Sequence, residues 1–197
     1  LTIPISFFLF FYGHFIISLI FERGKFSKET TLSVYNAMKY SLPAFIFQGI
    51  GTVLVKLFYI TGKTKINTLI SFIETFVFII LSVFFIKYYS FIGISISLSI
   101  STFVSISLSI YFVNKNIIKF NFIKIFIDIL KIFSVSIISI LFIKFFSISL
   151  FFLGEILALF ISLIFGMILF LLCGFLMRID EIMYLFYKLK NVVKKTI

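Results

Sequence analysis

Apolar runs of about twenty residues recur along this chain, and each is as long as a helix needs to cross the hydrocarbon core of a bilayer. Hydrophobic residues make up 62% of the sequence and charged residues only 13%, against roughly 25% charged residues in a soluble domain. A water-soluble fold of 197 residues has too little interior to hide that apolar surface, so the solvent of this chain is lipid. Soluble catalytic folds and nucleic-acid-binding folds are therefore excluded.

The length of the runs decides between helices and a barrel, because backbone polar groups in lipid must all be paired internally. A barrel needs segments of about ten residues that alternate apolar and polar, so the sequence predicts an all-α, polytopic transmembrane helix bundle. Six spans are predicted, at residues 1–21, 32–60, 67–86, 91–113, 125–146 and 155–177. Residues 178–197 then combine apolar residues at helical spacing with lysines, which predicts a cytoplasmic amphipathic tail.

One segment of the fourth span has the pattern of a strand. Residues 94–101 read ISISLSIS, a strict alternation with a period of two. A lone strand in lipid would leave its backbone unpaired, so we predict a helix here too. In that helix the serines are expected to spread around all faces, to bond back to the preceding turn and to permit close packing.

Basic residues are distributed unequally between the loops on the two sides of a six-span chain. Residues 61–66, 114–124 and 178–197 hold ten Lys and Arg, whereas 22–31, 87–90 and 147–154 hold four. The positive-inside rule places the first set, with the C-terminus, in the cytoplasm. The net charge of +11 then indicates lysines near anionic headgroups rather than nucleic acid. The chain begins at Leu1 inside an apolar run, so we expect a fragment of a longer protein.

Ionisable residues inside the predicted spans are the candidates for function, because charge in lipid is costly. Lys39 and Lys56 lie in the second span, and Glu74 lies in the third. Since the two helices are consecutive and antiparallel, Lys39 and Glu74 either pair structurally or line one polar cleft. Lys56 can also extend along its apolar stem to the interface. Pro43 is expected to kink the helix between the two lysines.

Enzyme and metal signatures are missing from the sequence. It has no nucleophile–base constellation, no paired His and no glycine-rich phosphate loop. The single cysteine, Cys173, cannot form a disulfide or metal framework within the chain. We therefore expect neither an enzyme nor a cofactor. Asp128 and Lys131, three residues apart, are interpreted as an interfacial ion pair.

Short motifs around the second span carry a family resemblance. In chain order they are an F-x-R-G-x-F loop at residues 21–26, Leu42-Pro43, Phe58-Tyr59, Gly62, Thr64-Lys65 and Gly93. In order and spacing this set resembles the MurJ (MviN) lipid II flippases of the MOP superfamily. The turn departs from the family pattern, which usually has Arg, Asp and Pro, at Thr61, Lys63 and Asn67.

The resemblance implies a fourteen-helix fold with two pseudo-symmetric six-helix lobes and two extra helices. Residues 1–113 would then supply four helices of the second lobe, residues 114–177 the two additional helices, and residues 178–197 the tail. The chain would be part of a lipid-linked oligosaccharide flippase of the bacterial cytoplasmic (inner) membrane. That flippase would translocate lipid II for peptidoglycan synthesis by alternating access.

The flippase interpretation predicts partners, and it gives a role to the ionisable residues that stand out in the spans and in the 22–31 loop. The partners would be membrane lipids, the undecaprenyl-linked glycolipid substrate and the missing N-terminal lobe of the same protein. Lys39, Lys56 and Glu74 would face the substrate cavity. Arg23 would join a periplasmic gate pairing through Glu22.

Other interpretations stay open. A related transporter of the superfamily, for polysaccharide or for drug/cation exchange, would share the helices but not the pairing of the 21–26 loop with the Gly-Lys-Thr-Lys turn. A non-transporting membrane scaffold or remnant would give no water access to Glu74. A membrane glycosyltransferase is disfavoured, because the loops between the spans hold only two acidic residues, Glu22 and Glu29, without metal-like clustering.

Overall fold

The structure is a computed structural model that describes residues 2–149, 155–177 and 183. Six helices follow one another in these residues, without a strand: α1 (Thr2–Phe21), α2 (Lys28–Ile60), α3 (Thr64–Tyr89), α4 (Ile92–Asn116), α5 (Phe122–Ser149) and α6 (Glu155–Leu176). The predicted all-α fold is confirmed. The predicted amphipathic tail lies, apart from Met183, outside the described residues.

Five of the helices, α1 to α5, are long and apolar enough to cross a membrane. In α6 the described apolar stretch is shorter, Phe160–Leu176, which at 1.5 Å per residue is roughly 25 Å long against a hydrocarbon core of about 30 Å. With its 33 residues, α2 is about 50 Å long, so it tilts in the bilayer or projects from it. The chain is a multi-pass membrane protein.

The start of α2 is fixed by a side-chain cap. The Ser27 hydroxyl accepts a hydrogen bond from the backbone N–H of Thr30 at 3.3 Å, which satisfies one of the free N–H groups of the first turn. The helix continues through Pro43. In the turn before Pro43, the Ser99 hydroxyl of α4 donates to the Tyr40 carbonyl at 2.6 Å. The kink at Pro43 stays a prediction.

The chain forms two compact units, Leu1–Phe120 and Asn121–Ile197. In the first unit α1 packs on α2, and α4 packs on both α2 and α3, whereas α2 and α3 touch one another little. The buried cluster of this unit consists of Leu54, Phe58, Ile70, Ile106 and Val113. Helix α4 is therefore the platform on which α2 and α3 both rest. The assignment of the chain to a partial lobe and two additional helices stays a prediction.

The serines of α4 lie on several faces of the helix, as expected, since Ser107 is exposed and Ser95 and Ser99 are half-buried. The other four, Ser97, Ser101, Ser105 and Ser109, are buried, four residues apart, between Gly93 and Val113. Residues at this spacing form one ridge along a helix, and small side chains let the neighbouring helices approach it closely. The expected bonds to the preceding turn are confirmed, for example from the Ser97 hydroxyl to the Gly93 carbonyl at 2.7 Å.

In the second unit α5 packs on α6, with Val135 and Phe170 in its buried cluster. The interpretation of Asp128 and Lys131 as an ion pair is confirmed, since the Lys131 Nζ lies 3.7 Å from the Asp128 carboxylate. Both side chains are about one-third exposed, so the pair contributes little stability.

A polar groove on the first unit

A groove of about 490 Å³ lies between α2, α3 and α4. Nine of its fourteen lining residues are polar or charged, in a chain of which 62% is hydrophobic. Helix α2 contributes Gln48, Gly51, Thr52, Val55, Lys56 and Tyr59, helix α3 contributes Asn67, Ile70, Ser71 and Glu74, and helix α4 contributes Thr102, Ser105, Ile106 and Ser109. Such a concentration of polar side chains within membrane-spanning helices is typical of a substrate or ion path.

The packing of the three helices explains why the groove is open. Because α2 and α3 rest on α4 but hardly touch one another, a channel is left between them above the surface of α4. Thr102, Ser105 and Ser109 form part of its floor with small side chains. The Thr102 hydroxyl donates to the Leu98 carbonyl at 2.7 Å, so its hydrogen atom is used within α4. Its oxygen can still accept a bond from a ligand.

Lys56 and Glu74 are the two charged residues of the groove, and they lie on facing helices. Lys56 is exposed and Glu74 is half-buried. Within the described residues, the structure gives neither side chain an ion pair or a hydrogen bond. The ammonium and the carboxylate are thus both available to a ligand, and a closer approach of α2 and α3 would bring opposite charges together.

Lys39 does not line this groove. It lies beside a separate, mainly apolar pocket of about 340 Å³ between α1 and α2, together with Pro43 and Phe10. The Lys39 Nζ stands over the ring of Phe10, 4.9 Å from its centroid, in cation–π geometry. Of the three ionisable residues that the sequence singled out within the spans, the structure brings together Lys56 and Glu74 and separates Lys39 from them.

Glu22 lies in the loop before α2, beside the first turn of that helix. The Thr31 hydroxyl lies 3.3 Å from both Glu22 Oε2 and the Ser27 carbonyl, and it can donate its one hydrogen to either. The loop turns at Gly24, whose φ of +61° favours glycine. Arg23 is exposed. A gate pairing of Arg23 through Glu22 stays a prediction.

Sequence reasoning missed most of the neutral lining of the groove. Glutamine, asparagine and hydroxyl side chains carry no charge, so they do not stand out in lipid as Lys56 and Glu74 do. A signal was nevertheless present in the spacing of four between Ser105 and Ser109, because residues i and i+4 share one face of a helix.

A comparison of the sequence with known protein families shows which family the chain belongs to. The profile of the family described as "Lipid II flippase MurJ" matches residues 1–185. The chain belongs to the MurJ family. A curated protein from Borreliella burgdorferi, named "Probable lipid II flippase MurJ", is 26% identical over 129 residues, which cover 66% of this chain. The chain spans about a quarter of the length of that relative, since the aligned part covers 26% of it.

Membership of the MurJ family confirms the resemblance carried by the motifs. The matched residues include the F-x-R-G-x-F loop at residues 21–26 and all the residues that line the polar groove. They extend through α5 and α6 as well, where the sequence offered hydropathy alone.

Proposed function

We propose that this chain forms part of a flippase that moves lipid II, an undecaprenyl-linked oligosaccharide, across the bacterial inner membrane for peptidoglycan synthesis. The observation that carries the proposal is the groove between α2, α3 and α4, which offers charged and neutral polar groups within membrane-spanning helices. A polar headgroup can follow such a groove while its hydrocarbon chain stays in the lipid. The family to which the chain belongs supports this substrate class.

The roles of the groove residues follow from their chemistry. The Lys56 ammonium attracts the phosphates of the substrate, because a cation and a phosphate form strong charge-assisted hydrogen bonds. Gln48, Asn67 and the hydroxyls of α4 offer donors and acceptors to the sugars. Glu74 repels the phosphates and gives Lys56 an alternative partner once the substrate has left.

Alternating access fits the contacts between the helices. Helices α2 and α3 touch little, so a movement that narrows or widens the groove breaks few contacts. Narrowing brings Lys56 towards Glu74, and widening separates them for a phosphate. The rest of the transporter would supply the opposing lobe. In this arrangement residues 178–197 and the C-terminus lie in the cytoplasm, as the positive-inside rule predicts.

Complementation tests the role of the two charged residues. The chain, inserted in place of the matching segment of a complete MurJ-family flippase, should support growth of a strain depleted of its own flippase. Lys56→Leu should lower the transport rate about ten- to hundredfold, because a hydrogen bond to a charged group contributes about 1.5–3 kcal/mol. Glu74→Gln should also slow transport. Full activity with both residues changed to Leu would remove them from the substrate path.

Two matched variants control for general effects of lost charge. Lys87→Leu removes a lysine from the last turn of α3, and Glu29→Gln removes a carboxylate from the first turn of α2. Both positions are exposed and outside the groove. We expect both controls to transport at the rate of the unsubstituted chimera, with unchanged amounts of protein in the membrane.

Water access distinguishes a transporter from a scaffold. In a Cys173→Ser background, Glu74→Cys should react with a charged maleimide, because the groove is open to water. Phe76→Cys is the control, since Phe76 is 59% exposed, lies at the middle of α3 and does not line the groove, so we expect it to face lipid and to stay unlabelled. Absence of labelling at position 74 would favour a non-transporting scaffold.

A further inference from the structure

We propose that the polar groove binds a glycosyl phosphate in one direction, with the phosphate at Lys56 and the sugar bonded to it at Glu74, deeper in the membrane. This inference rests on the proposed function and adds to it the part of the substrate that each end of the groove recognises. It makes Glu74 a residue that contacts the sugar, and it means that the headgroup enters the membrane with its sugar first.

The two charged residues lie at different distances from the turn that joins α2 to α3. Lys56 is four residues before Ile60, the last residue of α2, and Glu74 is ten residues after Thr64, the first residue of α3. At 1.5 Å per residue, these positions are about 6 Å and about 15 Å from the turn along the two helix axes. The groove therefore has a turn end, which holds the ammonium, and an inner end, which holds the carboxylate.

The directions of the two side chains place these groups next to each other along the groove. In a helix the Cα–Cβ bonds tilt towards the N-terminus. Because α2 runs towards the turn and α3 runs away from it, Lys56 leans into the groove and Glu74 leans back towards Lys56. A phosphate on the ammonium therefore has the carboxylate beside it on the inner side, where the sugar bonded to that phosphate would lie.

Hydrogen-bonding groups at the inner end are mainly acceptors. Thr52 lies four residues further from the turn than Lys56, and its hydroxyl donates to the backbone carbonyl of Gln48 at 2.8 Å. Thr102, the lining residue of α4 furthest from the turn, also uses its hydroxyl hydrogen within its own helix. Both oxygens keep the capacity to accept, and the Glu74 carboxylate only accepts. Sugar hydroxyls can donate to all three groups, whereas an ionised phosphate has no hydrogen to donate.

Donors are concentrated at the turn end. Lys56 is the single cation among the described residues that line the groove, and Tyr59 and Asn67 lie beside it near the turn. Their ammonium, hydroxyl and amide groups all offer hydrogens. A phosphate matches this end, because it accepts hydrogen bonds and carries negative charge. A phosphate at the inner end would instead place two anions together away from the cation.

Two charge-matched probes test the two ends separately. Each is a farnesyl pyrophosphate, which carries on its terminal phosphate either one N-acetylhexosamine or a methyl group. Isothermal titration calorimetry measures their binding to the full protein that carries this chain, in mild detergent and choline chloride. The unsubstituted protein should bind the sugar-bearing probe about tenfold more tightly than the methyl-capped probe, because hydrogen bonds to a charged acceptor are strong.

Substitutions at the two charged residues should affect the two probes differently. Glu74→Leu should lower the affinity for the sugar-bearing probe about tenfold. It should leave the affinity for the methyl-capped probe unchanged or higher, because an anion next to the phosphate is removed. Lys56→Leu should lower both affinities about tenfold, because both probes carry the phosphate.

A pair of threonines provides a matched control. Thr52→Val keeps the shape of the side chain but removes an acceptor of the inner end, so it should weaken binding of the sugar-bearing probe alone. Thr68 is exposed and outside the groove, and its hydroxyl makes the same kind of bond, to the Thr64 carbonyl at 3.1 Å. Thr68→Val should bind both probes as the unsubstituted protein does.

Several results would overturn the assignment of the sugar to the inner end. They are equal affinity of the unsubstituted protein for the two probes, equal losses for both probes in Glu74→Leu, and a loss in Lys56→Leu confined to the sugar-bearing probe. A loss in Glu74→Leu that appears only in sodium chloride would assign the inner end to a cation instead. In all these cases the probes still bind, so the proposed function stands. If neither probe binds the unsubstituted protein, the proposed function fails and this assignment fails with it.

Discussion

The close packing of α3 against the start of α4 leads to a prediction about stability, because these two helices help to form the groove. Gly93 is the second residue of α4 and is buried. A Cβ atom at this position would lie 2.5 Å from the carbonyl carbon and 2.6 Å from the carbonyl oxygen of Phe85. Ordinary contact begins at 3.4 Å. Because these atoms belong to the backbone of α3, they cannot rotate away, so Gly93→Ala must push the two helices apart by about 1 Å.

The matched control is Gly51→Ala on α2. There the nearest atom to a new Cβ is Ile106 Cδ1 at 2.8 Å, the far end of a side chain that can change rotamer. Gly51 lies in the middle of α2 and gains up to about 1 kcal/mol of helix propensity on substitution by Ala. Gly93 lies in the first turn of α4 and gains no more than that, so helix propensity does not favour Gly93→Ala in the comparison. Overpacking costs about 1–3 kcal/mol. Gly93→Ala should therefore be less stable than Gly51→Ala by about that amount.

Unfolding of the purified protein in mixed micelles with rising dodecyl sulfate measures the difference. Gly51→Ala should unfold near the midpoint of the unsubstituted protein, and Gly93→Ala should unfold at a clearly lower fraction of dodecyl sulfate. If the two variants unfold together, the close approach of α3 and α4 at this corner does not exist.

Two more substitutions test the packing of the first unit. Phe58→Ala should destabilise it by at least about 2.4 kcal/mol, the cavity term alone for a void of roughly 100 Å³ at about 24 cal/mol per Å³, because Phe58 is fully buried. Phe72→Ala, at an exposed position, should stay within about 0.5 kcal/mol in the same unfolding assay. The Lys63 Nζ donates to the Asn116 carbonyl at the end of α4, at 2.6 Å. Lys63→Met should therefore lower the free energy of unfolding by about 0.5–1 kcal/mol and speed hydrogen exchange at the end of α4. Lys65→Met should leave that exchange unchanged, and equal exchange in both variants would contradict a helix-capping role for Lys63.

The helices could be predicted from the sequence because lipid leaves the backbone few alternatives. Their ends were predicted less well, since hydropathy marks the part of a helix that lies in lipid and not the helix itself. The second predicted span began at residue 32, whereas α2 begins at Lys28 after its Ser27 cap. The third predicted span ended at residue 86, whereas α3 runs on to Tyr89.

The candidate site was predicted in part. The error, the grouping of Lys39 with Glu74, is explained by the directions in which residues point around the axis of α2. Lys56 and Glu74 stood out because charge is rare in lipid. Lys39 was grouped with Glu74 on the ground that their helices are consecutive. However, Lys39 and Lys56 are seventeen residues apart in one helix, which at about 100° per residue places them roughly 100° apart around its axis. One helix can therefore present its two lysines to two different pockets, as the structure shows.

The turn between α2 and α3 is the point about which these two helices can move relative to each other. Lys63 lies in this turn and binds the Asn116 carbonyl at the end of α4, so at this end of the unit all three helices are tied together. Lys56 and Glu74 lie further from the turn, along helices that hardly touch. In the proposed alternating-access mechanism, a pivot of α2 and α3 about this turn would change the separation of the two charges while the hydrogen bond from Lys63 to Asn116 is kept. On this account Lys63→Met should loosen the pivot and weaken transport without altering the charge of the groove.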